Sequence, residues 1–422
     1  MTSRQRVYNT VNRLPVDRMP LDLGATPVTG ICAPVLYQLR KELGLEQKPV
    51  RIIEPGQMLG EVEEDVRAAL GADAVGIWRL KNNMGIANKD WKPWTMPNNT
   101  PVEMPGGFAW DKQDNGDIVA YPQGDKSVPP SLVMPKSASF FSGIHRAPPF
   151  DEDELDAVKD YGEQFTVFSD EDALHLEREA RRLHEETPYA LVGNFACGLF
   201  GDAGALTGNG LKRVRGIRSL DDWMMAHILY PDYIHQLFSY QLEVALKNLE
   251  IYRQAVGERI SVLYTLGTDF GTQKAGLISP EHYRALYKPY ISRLVKWVHQ
   301  NTGWKVMIHS CGSIVDLLDD LWESGVDILN PVQCSAAGMD PVMLKERYGD
   351  KFIFWGGGVD TQQTLPYGTT DDVRAEVQKR MEVLGKDGGF VFNTTHNIVA
   401  GTPTPNLLAM YETVNRTRGY SG

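Results

Sequence analysis

Eight short apolar segments, most of them followed by a stretch with helical spacing, restrict this chain more than any other feature. They fall at 18–24, 73–78, 189–193, 260–265, 305–309, 326–330, 352–355 and 389–393. Each is too short for a buried helix, and most are rich in Val, Ile and aromatic residues, as buried strands are. Helical spacing appears between them at 35–43, 61–70, 220–229, 231–256 and 280–301, and residues 1–17 read as a short helix or arm. Strands alternating with helices form parallel sheets, and eight of them close on themselves. The expected fold class is α/β, a (β/α)8 TIM barrel, with residues 1–422 forming one barrel domain.

One region breaks the rhythm. Residues 82–150 are rich in Pro, Gly, Asn and Trp, and Asp114-Asn115-Gly116-Asp117 between two apolar triplets is a hairpin signal. This is a β-rich excursion inserted after the second strand. It serves either as a cover over the barrel mouth or as a surface and dimer contact.

The formal charge of −11 disfavours a nucleic-acid or anionic-membrane surface. No apolar run approaches a membrane span, and Met1-Thr2-Ser3-Arg4-Gln5-Arg6 does not open a secretory leader. Four cysteines in 422 residues point to a reducing compartment, hence a cytoplasmic protein. An acidic barrel of this size is also compatible with pairing as a homodimer.

Barrel enzymes place their chemistry on the loops that leave the carboxyl ends of the strands. Here those ends carry Asp269, His309, Cys311, Gln333, Cys334, Asp360 and His396. His309 and Cys311 are two apart on an extended chain, so both can face one centre. An imidazole and a thiolate are zinc ligands, and an open position makes such a site catalytic. Cys334 is the expected third ligand, with His396 or Asp269 as alternatives. Asp269 and His396 are otherwise candidate acid–base groups. Trp78, Tyr264 and Trp355 near strand ends are expected to wall a pocket for a flat substrate, with Gln333 and Asp360 as polar contacts.

Four strings carry a family resemblance: His309-Ser310-Cys311-Gly312-Ser313-Ile314, Leu329-Asn330-Pro331-Val332-Gln333, Trp355-Gly356-Gly357-Gly358-Val359-Asp360-Thr361-Gln362, and Phe392-Asn393 with His396-Asn397-Ile398. Over roughly 185–415 the chain resembles the uroporphyrinogen decarboxylase superfamily. That superfamily has a metal-free decarboxylase branch and a zinc-holding, corrinoid-linked methyltransferase branch. The decarboxylase branch grips substrate carboxylates with arginines near the N-terminus, and Leu23–Thr29 has none. Ile77-Trp78-Arg79 stands where that branch has a Phe-Ser-Asp-like string. His396 matches its late histidine. The methyltransferase branch is similar at His309-x-Cys311, but its last ligand, a cysteine after strand eight, is replaced by Thr395-His396-Asn397.

The resemblance therefore implies a zinc-assisted, corrinoid-dependent methyltransferase, taking methyl from a methoxylated aromatic or similar small donor, or running in the reverse direction to a thiol. No Asp-x-His-x-x-Gly corrinoid motif is present, so cobalamin would come on a separate protein. The runner-up is a metal-independent decarboxylase of a smaller acid, with Asp269 and His396 moving the proton. A third reading is a corrinoid- or tetrapyrrole-binding module without chemistry.

Overall fold

The computed structural model describes residues 1–419. At its centre is a curled parallel sheet of seven strands. In spatial order they are Phe390–Val391, Ile353–Trp355, Ile328–Asn330, Lys305–His309, Ile260–Leu266, Ala190–Asn194 and Ala74–Ile77. Strands consecutive along the barrel are neighbours in space, as successive strand–helix–strand units require.

The expected first strand is reduced to one pairing, an isolated parallel bridge from Leu21 to Phe392. Pro20 has no N–H for a ladder, and the Leu21 N–H is taken by the Asp73 side chain at 3.0 Å. The segment still spans the gap between the outer strands. Phe392 N donates to Pro20 O and Asp22 N to Phe392 O, each at 2.9 Å, and Asp73 N donates to Leu21 O at 2.7 Å.

Inward-facing Val192, Val262, Met307, Ile328, Ile353 and Val391 fill the barrel. Helix Ser3–Val11 closes the end where the strands begin: Val7 and Val11 join the same buried cluster, and Arg4 N donates to Pro188 O just before the third strand. Burying a side chain of this size contributes about 1.5–3 kcal/mol. With that end plugged, the carboxyl ends of the strands form the open rim.

The helical stretch at 280–301 is not uniform. Pro280–His282 passes into a π-helical segment, Tyr283–Tyr287, before Lys288–Asn301. Pro289 removes an N–H from the ladder, and the widened turn lies directly before it.

Within 82–150 the chain forms small antiparallel strands. Trp110–Lys112, Ile118–Ala120, Leu132–Met134 and Ser142–Gly143 make a meander, whose first turn has Gly116 at φ +92°. Lys92–Thr95 pairs antiparallel with Pro101–Met104, which in turn pairs parallel with Val50–Glu54, a strand the periodicity does not single out. Among the described residues no helix is long and apolar enough to cross a membrane.

Candidate active site and metal centre

His309 ends the fifth strand and points up from the barrel interior, 3% exposed. Its Nδ1 lies 2.6 Å from Asn330 Oδ1. Asn330 is opposite it in register on the sixth strand and donates Nδ2 to the Trp355 carbonyl at 2.8 Å. That second bond turns Oδ1 toward the imidazole, so Nδ1 carries the proton and Nε2 presents its lone pair to the rim. A histidine held through one nitrogen in this way is set up to use the other as a ligand. Burial lowers the His309 pKa, which keeps the ring neutral.

Cys311 Sγ sits 3.4 Å from His309 Nε2. The Cys311 N–H donates to Asp269 Oδ1 at 2.7 Å, and Gly312 N to Gln333 Oε1 at 2.7 Å. Gly312 has φ +85°, and a Cβ there would come within 2.5 Å of the Gly271 carbonyl carbon. Only glycine lets the two loops pack this closely.

His396 reaches the same point from the segment after the eighth strand. Its ring meets that of His309 edge to face, with centroids 5.2 Å apart. Asn397 fixes this segment: it accepts from Gly30 N at 2.6 Å and donates to Pro27 O at 2.8 Å and Gln57 Oε1 at 2.9 Å. Burial, with a smaller contribution from His309, lowers the His396 pKa to about 3, so this ring too is neutral at ordinary pH.

The ligand atoms of His309, Cys311 and His396 all lie within 4.8 Å of one another. Bond lengths of about 2.1 Å to nitrogen and 2.3 Å to sulfur place tetrahedral zinc ligands roughly 3.6 Å apart. The His309–Cys311 pair is already near that spacing, and the widest pair needs to close by about 1 Å. Two neutral imidazoles and one thiol form a set that fits zinc. The Cys311 thiol itself is pushed up, first by burial and then by the Asp269 carboxylate, so only a bound cation would make it a thiolate.

Around this cluster the structure sorts the other expected residues. Asp269, 44% exposed in its side chain, lies 3.9 Å from His309 Nε2, at the mouth. Gln333 and Asp360 line a cavity of about 290 Å³ that also includes Cys311 and His396. Cys334 is outside the cluster. Its Sγ turns back to Val332 O at 3.4 Å, and the charges around it are Arg380, Glu376 and Asp340. The alternation that serves His309 and Cys311 does not carry past Pro331, so Gln333 takes the inward place.

The aromatic wall is not there. Trp355 is wholly buried in the barrel, with Nε1 donating to Asp22 Oδ2 at 2.9 Å. Tyr264 belongs to the same interior cluster, its hydroxyl among Asp202, Asp269 and Cys311. Trp78 is half-buried, its carbonyl facing His175 Nε2, and it does not line the cavity.

Two residues escape a reading by strand ends alone. Asn330 could have been found by register, since it faces inward one strand from His309. Asp202 lies on a loop with no periodic signal. Burial, followed by the Asp269 charge, raises its pKa to about 7.

A barrel with a plugged base and a His–Cys–His cluster on its open rim defines a barrel enzyme with a candidate metal centre. The uroporphyrinogen decarboxylase (URO-D) family model matches residues 156–417, and the chain belongs to that family. Among curated relatives, the uroporphyrinogen decarboxylase of Synechocystis sp. is 26% identical over 178 residues, 40% of this chain and 48% of that one. The uroporphyrinogen decarboxylase of Xylella fastidiosa is 26% identical over 197 residues, 44% of this chain and 50% of that one. The chain thus spans about half the length of the curated relatives it matches. Among solved structures, a methyltransferase from Methanosarcina mazei superposes with a TM-score of 0.55 at 17% identity, covering 99% of each chain. At that identity the likeness is one of fold.

Proposed function

We propose that this protein transfers a methyl group between a small methylated donor and the cobalt of a corrinoid carried by a partner protein, at a zinc site made by His309, Cys311 and His396. The observation that carries the proposal is the convergence of these three ligand atoms within 4.8 Å on the rim. The family membership and the fold shared with a methyltransferase are consistent with it. When bound, zinc supplies a Lewis acid for the donor heteroatom.

The chain's own residues would do the rest. Asn330 holds His309 in the tautomer that leaves Nε2 free. Asp269 anchors the Cys311 backbone and keeps an oxygen at the mouth, within reach of a proton exchanged with the leaving heteroatom. In the forward direction the bond between heteroatom and methyl breaks, the methyl joins the cobalt of a cob(I)alamin-type partner that supplies the electron pair, and the heteroatom keeps its own pair and gains a proton. The cavity does not favour the flat aromatic donor that the sequence suggests, because neither Tyr264 nor Trp355 lines it.

One observation favours a second reading. Asp202, raised to about 7, is a carboxylic acid able to give a proton near neutrality. In a decarboxylase it would protonate the carbanion left when a carbon–carboxylate bond breaks and carbon dioxide departs. The two readings separate in one experiment: zinc-loaded protein is incubated with a methyl donor and a reduced corrinoid protein, and separately with small carboxylic acids. Methylcobalamin formation that is lost in Cys311→Ala supports the first. Carbon dioxide release that persists in Cys311→Ala supports the second.

A further inference from the structure

The cavity beside the His–Cys–His cluster has an unusual charge balance. Among the described residues, neither Arg nor Lys lines it. Its polar walls are largely satisfied within the protein. Gln333 spends Oε1 on Gly312 N and Nε2 on Gln273 Oε1, and Gln273 spends its own Nε2 on Ser335 O.

Asp360 differs. It is 7% exposed, and its Oδ1 accepts from both Gln362 N and Gln363 N at 2.7 Å, which fixes the carboxylate plane. Its Oδ2 accepts no hydrogen bond from the described residues, although the side chain lines the cavity. A carboxylate oxygen that faces the cavity and is engaged by no protein donor is a strong acceptor open to a ligand. The same oxygen, in a cavity that no Arg or Lys lines, repels an anion.

Resting on the methyl-transfer reading for the donor's methyl group, we propose that Asp360 selects the donor. The site takes a small, non-anionic methylated molecule whose ammonium or hydroxyl group donates to Asp360 Oδ2, while its methylated end lies toward Cys311 and His396. A carboxylate-bearing donor of the same size is excluded by like charge. A cavity of about 290 Å³ without aromatic walls suits an aliphatic molecule.

The test uses three probes matched in size: 2-methoxyethylamine, 2-methoxyethanol and methoxyacetate. Binding to the zinc-free full chain is measured by ligand-observed NMR, without corrinoid, so that no probe can coordinate a metal. The expected order is ammonium, then alcohol, then carboxylate, with about tenfold or more between the first and last. Asp360→Asn keeps the acceptor for Gln362 N and Gln363 N, so the turn should persist, as circular dichroism would verify. In that variant the gap between amine and carboxylate should collapse to about twofold or less.

Methoxyacetate binding as tightly as the amine overturns the proposal. So does an unchanged ratio in a folded Asp360→Asn protein, or the absence of binding by all three probes. If the order holds and no methyl reaches a corrinoid, the methyl-transfer reading fails while the charge selection stands.

Discussion

The two ends of this barrel hold the same kinds of side chain in opposite states. At the closed end Asp73 is wholly buried and fully engaged. It accepts from Ser3 Oγ at 2.7 Å, Arg6 Nη1 at 2.5 Å and Leu21 N at 3.0 Å, with Arg418 Nη1 at 3.5 Å. These bonds tie the N-terminal helix, the first segment, the second strand and the last helix together. At the open end Asp269 is half exposed, Asp360 keeps an oxygen free, and His309 offers Nε2. Satisfied polar groups hold the fold, and unsatisfied ones at the carboxyl ends of strands are available for chemistry.

The largest effect should come from the closed end. Asp73→Ala leaves Arg6 and Arg418 short of a buried partner and should cost about 3 kcal/mol or more of stability. Denaturant melts would read this. Zinc bound per folded chain should not change, because the substitution lies at the opposite end from the cluster.

The next effect sharpens the open end. Asn330→Ala removes the partner of His309 Nδ1, and zinc affinity should fall about 10- to 100-fold with little loss of fold. Competition with a chromophoric chelator measures it. A change under about twofold would mean that the tautomer needs no holding.

The pH dependence of zinc binding has a definite sign. The Cys311 thiol is pushed up, so at neutral pH binding must expel its proton. Affinity should rise by about tenfold per pH unit where one proton is released. In Cys311→Ala this slope should vanish together with most of the binding.

A separate effect, read in zinc-free protein, concerns Asp202. Its folded pKa, about 7, exceeds the ordinary 3.8 of the unfolded chain. Between those values the folded state holds a proton that the unfolded state has lost, so stability from this group falls as pH rises from about 4 to about 7. Asp202→Asn should flatten that part of the stability curve. An unchanged slope would show that Asp202 is solvated.

Much of this was legible in the sequence, for physical reasons that also mark where legibility stops. The fourth and fifth strands are predominantly apolar runs, and they form at Ile260–Leu266 and Lys305–His309. The first is read as a strand from apolar residues, yet Pro20 and the Asp73 side chain reduce it to one bridge. His309 and Cys311 share a direction because the chain stays extended between them. Cys334 turned out of the site because the sixth strand ends at Asn330, and Pro331 interrupts the alternation. Tyr264 and Trp355 were expected to wall a pocket, yet neither lines the cavity, because height within the barrel depends on stagger between strands, which one sequence does not display. Asp360 stood at a strand end, whereas the oxygen it leaves free of protein donors is visible only once the backbone N–H groups around it are placed.

The measurement that most directly tests the central claim is zinc content after purification without chelator. Wild type, His309→Ala/Cys311→Ala, His396→Ala and Cys334→Ala would be compared, each checked for fold. The structure predicts about one zinc per chain in wild type and in Cys334→Ala, and far less in the other two. Zinc retained by the His309→Ala/Cys311→Ala protein, or lost from Cys334→Ala and kept by His396→Ala, would contradict it.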